Sequence, residues 1–337
     1  MFNIENRRYV GNKYKLMDWI KEVLKNECKD AHSFFDVFAG TGVVTNCMLD
    51  CYDIFIINDF LYSNEVIYHA FFGNGNYRKS ILDEIKAVYN SLDKKNLQSN
   101  YFSEQLGDKF FSIPDAKAIG YIRDDIEKKK EKNEINNKEY NILLSSLLYS
   151  SDRIANTCGH YDAYIKGKQI RSDFLYDLIQ PLDIGDKKIF IHRRDANLLV
   201  KNVDADIAFI DPPYNSRQYS RFYHVLENLT KWEKPKLYGV AMKPKEENMS
   251  EYCRSSAPIA FADLIKNLNT NYIVVTYNNT YTSKSMSSQN KISLKEITKV
   301  LEEKGETIIY EKPYRFFNTG KTDFSNHKEY LFVTKVN

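Results

Sequence analysis

Long hydrophobic runs are missing from this chain of 337 residues. No apolar stretch approaches the ~18 residues that a membrane-spanning helix needs, and residues 1–8 lead into charged sequence rather than a hydrophobic signal segment. Cytoplasmic residence, with no membrane partner, is the expectation. Cysteine is scarce, five residues without a CxxC pair, so neither a disulfide framework nor a structural zinc site is expected. Cys28, Cys47, Cys51, Cys158 and Cys253 read as reduced, buried thiols. With 13 glycines and 8 prolines the chain is too poor in both for a collagen-like or low-complexity protein. A large net charge is lacking as well. The formal +3 does not announce a nucleic-acid binder, although the basic excess toward the C-terminal part permits one.

An apolar fraction of 43% and a charged fraction of 28% with nearly balanced signs describe a globule with a substantial core, in one enlarged domain or two. The 25 tyrosines and 20 phenylalanines suit either a core or a platform for stacked bases. Apolar residues Leu16, Ile20, Val23 and Leu24 recur at helical spacing over 13–28. A buried strand follows at 33–38, then Gly40-Thr41-Gly42, a helix over 43–52 and a second strand at 53–58. This order opens a doubly wound α/β sheet. Strands resume at 188–192, 206–210 and 272–276, and 307–310 with 329–334 close the chain as a pair. Between 61 and 187 the periodicity is helical, on Ile81, Ile85, Val88 and Leu92, on Ile119, Ile122 and Ile126, and on Leu143, Leu144, Leu147 and Leu148. The domain expectation is therefore a sheet domain formed by 1–60 and 188–337, with 61–187 as a helical insertion. Residues 127–138 read as a solvated helix end and loop, and the polar stretches 243–256 and 282–293 as long surface loops.

Three groups of residues carry chemistry. Asp36-Val37-Phe38-Ala39-Gly40-Thr41-Gly42 ends the first strand, where ligands of open α/β sheets bind and where glycine lets a ligand approach the backbone. A nucleotide-like cofactor suits that place, and so does a tight turn alone. The loop lacks the third glycine of a dinucleotide fingerprint and the Lys-Ser/Thr pair of a phosphate loop. Asp59, ending the second strand, reads as a ribose ligand or as the cap of the next helix. Asp195 reads equally as a helix cap or as a partner of an adenine amine. The third group is Asp211-Pro212-Pro213-Tyr214, directly after the strand at 206–210. Two prolines make this a rigid extended loop. An exocyclic base amine is a poor nucleophile because its lone pair is delocalised. The Asp211 carboxylate and the Pro212 carbonyl can accept both amine hydrogens and aim the nitrogen at an electrophilic methyl group, while Tyr214 stacks on the base.

The blocks Arg8-Tyr9-Val10-Gly11-Asn12-Lys13-Tyr14-Lys15-Leu16, Phe38-Ala39-Gly40-Thr41-Gly42, Asp59, a helical insertion and Asp211-Pro212-Pro213-Tyr214 occur in that order. In this the chain resembles the Dam-like group of S-adenosylmethionine-dependent DNA adenine methyltransferases. The strings NTCGHYDAYIK (156–166) and DPPYNSRQY (211–219) are similar, more narrowly, to the modification enzymes of FokI-like restriction systems. Asn12 departs from the pattern, since Dam-like enzymes tend to carry a second glycine there.

The resemblance implies a Rossmann-like methyltransferase sheet, mostly parallel with an antiparallel C-terminal pair, carrying a helical target-recognition subdomain. It places Tyr9 and Lys13 against the methionine part of the cofactor, with Asp36, Phe38, Gly40, Gly42 and Asp211 around it. Asp59 would hold the ribose and Asp195 the adenine. Arg217 and Arg221 are candidates for gripping DNA phosphates, or are ordinary surface arginines. The implied partners are S-adenosylmethionine and double-stranded DNA whose target adenine is extruded for methylation at N6, with room for a cognate restriction endonuclease; a monomer suffices and no metal is called for. The rival readings are a methyltransferase of the same fold acting on cytosine, RNA or protein glutamine, and a DNA-binding module without catalysis.

Overall fold

The computed structural model describes residues 1–11, 13–167, 169–280, 289–313 and 327–337. Asn12 and most of the polar stretch 282–293 lie outside the described residues. In chain order the helices are α1 (Met17–Glu27), α2 (Val43–Met48), α3 (Tyr62–Phe71), α4 (Lys79–Asn90), α5 (Tyr101–Leu106), α6 (Ile113–Glu131), α7 (Asn137–Ile154), α8 (Ala196–Leu199), α9 (Tyr219–Phe222), α10 (His224–Lys231), α11 (Ala257–Asn267) and α12 (Leu294–Glu302). The strands are β1 (Ser33–Asp36), β2 (Ile54–Asp59), β3 (Lys188–Arg193), β4 (Asp204–Ile210), β5 (Asn269–Asn278), β6 (Gly305–Pro313) and β7 (Lys328–Val336). Contacts divide the chain into two units. One comprises Lys13–Phe60, Asp186–Tyr219 and Asn248–Asn337; the other comprises Met1–Asn12, Leu61–Gly185 and Ser220–Glu247.

The first unit holds a sheet in the order β3-β2-β1-β4-β5-β7-β6. Strands β1 to β5 run parallel, and β7 is antiparallel to both β5 and β6, the β6–β7 pairing being the expected antiparallel C-terminal pair. The central strands read as continuous apolar runs because both their faces are covered. Phe34 packs with Tyr52, Phe55 and Phe209, while its neighbour Phe35 joins Ile56, Ala208 and Ile210 in a core completed by Phe261, Leu264 and Ile265 of α11. The order changes direction between β1 and β4. Such a switch point opens a crevice at the carboxyl ends of the strands, and Asp36 and Asp211 stand on its two sides.

In the other unit α5 packs on α6, and α3, α6 and α10 pack on α7. Its Leu143, Leu144, Leu147 and Leu148 are buried. The ammonium of Lys138 donates to the carbonyls of His69, Ala70 and Gly73, satisfying the end of α3. Helix α5 was not expected, since six residues are too few to display a period; Asn100 starts it by accepting from the Ser103 amide. Among the described residues no helix is long and apolar enough to cross a membrane.

Several expectations need correction. The helix after Gly42 ends at Met48, and the stretch 243–256 is not simply a surface loop. It contains a helical turn, Glu251–Cys253, in which Tyr252 is buried because its ring meets Phe38 edge-on and its hydroxyl donates to Asn197. The cysteines are all free thiols, but Cys158 is exposed and Cys47 and Cys51 are half-buried.

Candidate active site

At the carboxyl end of β1 the chain turns through Gly40 and Gly42, at φ of 55° and 77°. Residues with a Cβ seldom adopt that conformation, which accounts for glycine at both positions. The loop is tied down from below. The Gly40 amide donates to Asp59 Oδ2 at 3.0 Å, the Ala39 amide to the Asn58 carbonyl at 2.9 Å, and the Asn58 side chain to the carbonyls of Val37 and Arg194. Asp59 is not the cap of α3. The N-cap there is Leu61, and the Tyr62 and Ser63 amides are met instead by the two carboxylate oxygens of Glu227 at 3.0 and 2.8 Å. Asp195 does cap its helix, accepting from the Leu198 amide at 3.1 Å.

Asp36 is 1% exposed. Its Oδ2 accepts from Thr45 at 2.8 Å, while Oδ1 is buried without a hydrogen-bond partner. Burial pushes this carboxyl up to about 7; the Thr45 bond pulls it down, and the negative charges of Asp211 and Asp59 raise it further. A buried acceptor lacking a donor, within the field of two more carboxylates, is a place suited to a ligand that brings N–H donors and positive charge.

Across the switch point, Asp211 follows β4 directly. The Lys13 ammonium, 6% exposed, lies 3.0 Å from Asp211 Oδ2. Oδ1 accepts from the Thr276 hydroxyl at 2.8 Å and from the Tyr214 phenol. Burial, and then the Asp211 charge, hold the Tyr214 proton well above the usual phenol range. The Tyr214 ring is flanked by the Lys13 ammonium, 4.9 Å from its centroid, and by the Tyr277 ring at 4.5 Å and 57°. The loop beyond is held from outside, because the Tyr214 carbonyl accepts from the Lys291 amide at 2.8 Å.

Asp36, Phe38, Gly40, Gly42, Asp59, Asp195 and Asp211 to Tyr214 thus all belong to the sheet unit, at the carboxyl ends of its strands, and Lys13, in the segment before α1, belongs to the same unit. Arg217 belongs there too, half-buried, its carbonyl accepting from the Cys253 thiol. Tyr9 and Arg221 belong to the other unit. The Tyr9 ring stacks on Tyr223 at 4.8 Å, and Arg221 donates to the Pro244 carbonyl at 2.6 Å. Reading the sequence missed Thr276, Tyr277 and Asn58. The available signal was polar side chains in strands that are otherwise apolar, since a hydroxyl or amide buried there needs a partner.

A doubly wound sheet with a glycine turn after β1, an acid ending β2 and an acid-diproline-aromatic loop after β4 defines the class of amino-methyltransferases, whose chemistry requires a methyl donor. Residues 9–315 match the family model of the D12 class N6 adenine-specific DNA methyltransferases, and the chain belongs to that family. Relatives include the type II methyltransferase M.FokI of Planomicrobium okeanokoites, 32% identical over 96% of this chain and 52% of the relative. The modification methylase StsI of Streptococcus sanguinis is 34% identical over 96% of this chain and 50% of its own length. The type II methyltransferase M.NlaIII of Neisseria lactamica is 29% identical over 96% of this chain and 98% of its own. The chain therefore spans about half the length of the first two relatives and nearly all of the third.

Proposed function

We propose that this protein transfers a methyl group from S-adenosylmethionine to the exocyclic N6 amine of an adenine extruded from duplex DNA, as the modification component of a restriction-modification system. The observation that carries the reading is the pairing of Asp211-Pro212-Pro213-Tyr214 with the Asp36 to Gly42 loop on the two sides of one switch point. Family membership and the type II relatives support it.

When bound, S-adenosylmethionine supplies a methyl group on a sulfonium sulfur, already activated for transfer. The unpartnered Asp36 Oδ1 suits its amino group. The backbone of Gly40 to Gly42 leaves room for it, Phe38 gives an apolar wall, Asp59 accepts from the ribose hydroxyls and Asp195 from the adenine amine. On the other side the Asp211 carboxylate and the Pro212 carbonyl accept the two hydrogens of the target amine. This favours a pyramidal nitrogen with its lone pair directed at the methyl carbon, and Asp211 then holds the proton that leaves. Tyr214 stacks on the base, exchanging its contact with the Lys13 ammonium for the base face. Such stacking is worth ~1–3 kcal/mol, against an unpairing cost of a few kcal/mol. Base reading falls to the helical residues 61–187, and Arg217 and Arg221 grip phosphates near the extruded nucleotide.

The experiment is a comparison of wild type with Asp211→Ala. The wild type transfers labelled methyl to duplex DNA, whereas the variant loses turnover but still binds S-adenosylmethionine. A fully active Asp211→Ala overturns the site assignment.

A further inference from the structure

Thr276 lies on β5, where no motif marks it. The parallel register pairs Ile210 of β4 with Val275, which brings the next residues, Asp211 and Thr276, side by side at the carboxyl edge. The side chain is 2% exposed, and its hydroxyl donates to Asp211 Oδ1 at 2.8 Å. Being β-branched and clamped between β4 and β7, Thr276 has little rotamer freedom, so its hydroxyl is a fixed point.

The other two partners of Asp211 are of a different kind. Lys13 reaches it through a flexible four-carbon stem, and Tyr214 is the side chain that the proposed mechanism commits to the base. An ionised carboxylate offers about four lone-pair directions. In the structure Oδ1 has both of its own filled, by Thr276 and Tyr214, while Oδ2 carries Lys13 alone and keeps one open. A base amine thus finds its acceptor at Oδ2, on a carboxylate whose rotation about Cβ–Cγ is set at Oδ1. When Tyr214 turns to the base, Thr276 is the donor that remains there.

We propose that Thr276 is a positioning residue for methyl transfer: its hydroxyl locks the Asp211 carboxylate so that Oδ2 faces the target amine throughout base capture. The inference rests on the proposed function and deepens it. A fixed acceptor acts on the reacting geometry rather than on ground-state affinity, so its loss belongs in kcat and not in KM.

Thr276→Val removes the hydroxyl at nearly constant volume, Thr276→Ala removes it while leaving space, and Thr276→Ser keeps it. With DNA whose target has been mapped on the wild type, kcat should fall about tenfold to a hundredfold in Val and Ala and return to within about threefold of wild type in Ser. The KM for DNA, the calorimetric affinity for S-adenosylmethionine and the fluorescence of 2-aminopurine at the target position should stay at wild-type values in all three. An undiminished kcat in Val or Ala, or a Ser variant as slow as Val, overturns the role of the hydroxyl. So does a loss that appears wholly in KM or in donor affinity. A wild type that methylates no DNA overturns the proposed function and this inference with it, an outcome readily told apart from an active wild type that is indifferent to position 276.

Discussion

Replacing Asp36 by Asn should abolish a proton that leaves the protein when the methyl donor binds. In the structure the carboxyl is buried, lacks a partner at Oδ1 and is raised to about 7. It is then about half protonated at pH 7, about nine-tenths at pH 6 and about one-tenth at pH 8. An ammonium brought against a carboxylate lowers its pKa by about 1–3 units, so the bound form is ionised at pH 7 and above. Binding therefore releases about 0.5 proton at pH 7 and about 0.1 at pH 8, and affinity weakens toward tenfold per unit as pH falls below 7. Titration calorimetry in two buffers of different ionisation enthalpy reads the released proton directly. The same shift acts on folding of the ligand-free protein. The unfolded carboxyl titrates near 3.8 and the folded one near about 7, so the folded state binds the extra proton between these values. Stability on this count is fully present below about pH 4 and is lost as pH rises to about 7, by up to about 4 kcal/mol. Asp36→Asn should flatten both dependences. A wild type that releases no proton between pH 6 and 7, or an Asn variant with the same release, refutes the placing of positive charge at Asp36.

Two further substitutions probe other parts of the molecule. Tyr214→Phe keeps the stacking face and loses the phenol bonds to Asp211 and Thr276, so its turnover should stay within about tenfold of wild type, whereas Tyr214→Ala, losing ~1–3 kcal/mol of stacking, should raise the KM for DNA about five- to 150-fold; equal behaviour of the two in steady-state kinetics argues against stacking. Glu227→Gln leaves one of the two leading amides of α3 without its carboxylate oxygen and should destabilise the protein by about 1–2 kcal/mol in urea unfolding, an effect that an unchanged midpoint would disprove.

How far the site could be read from sequence depends on the range of the interactions. Gly40 and Gly42 are legible because a positive φ selects glycine locally, and Asp211 to Tyr214 because two prolines after an apolar strand leave few conformations. The closing strand pair was visible as two short apolar runs at the end of the chain, whereas the pairing of β7 with β5 is set by the sheet order and was not read. What escaped is set across strands or across long stretches of chain. Thr276 acquires meaning only from the register that puts it beside Asp211, and Glu227 only from lying at the start of α3. Tyr252 sits in a polar stretch whose composition says surface, yet its ring packs against Phe38. The empty acceptor of Asp36 is a property of its burial, which residue order does not announce.

Methylation of a long duplex of known sequence, followed by nucleoside mass spectrometry and mapping of every modified base, tests the chemistry most directly. The expected product is N6-methyldeoxyadenosine, at adenines in one fixed sequence context. Methyl groups on cytosine, on RNA or on protein, or none on DNA with the donor bound, would contradict it.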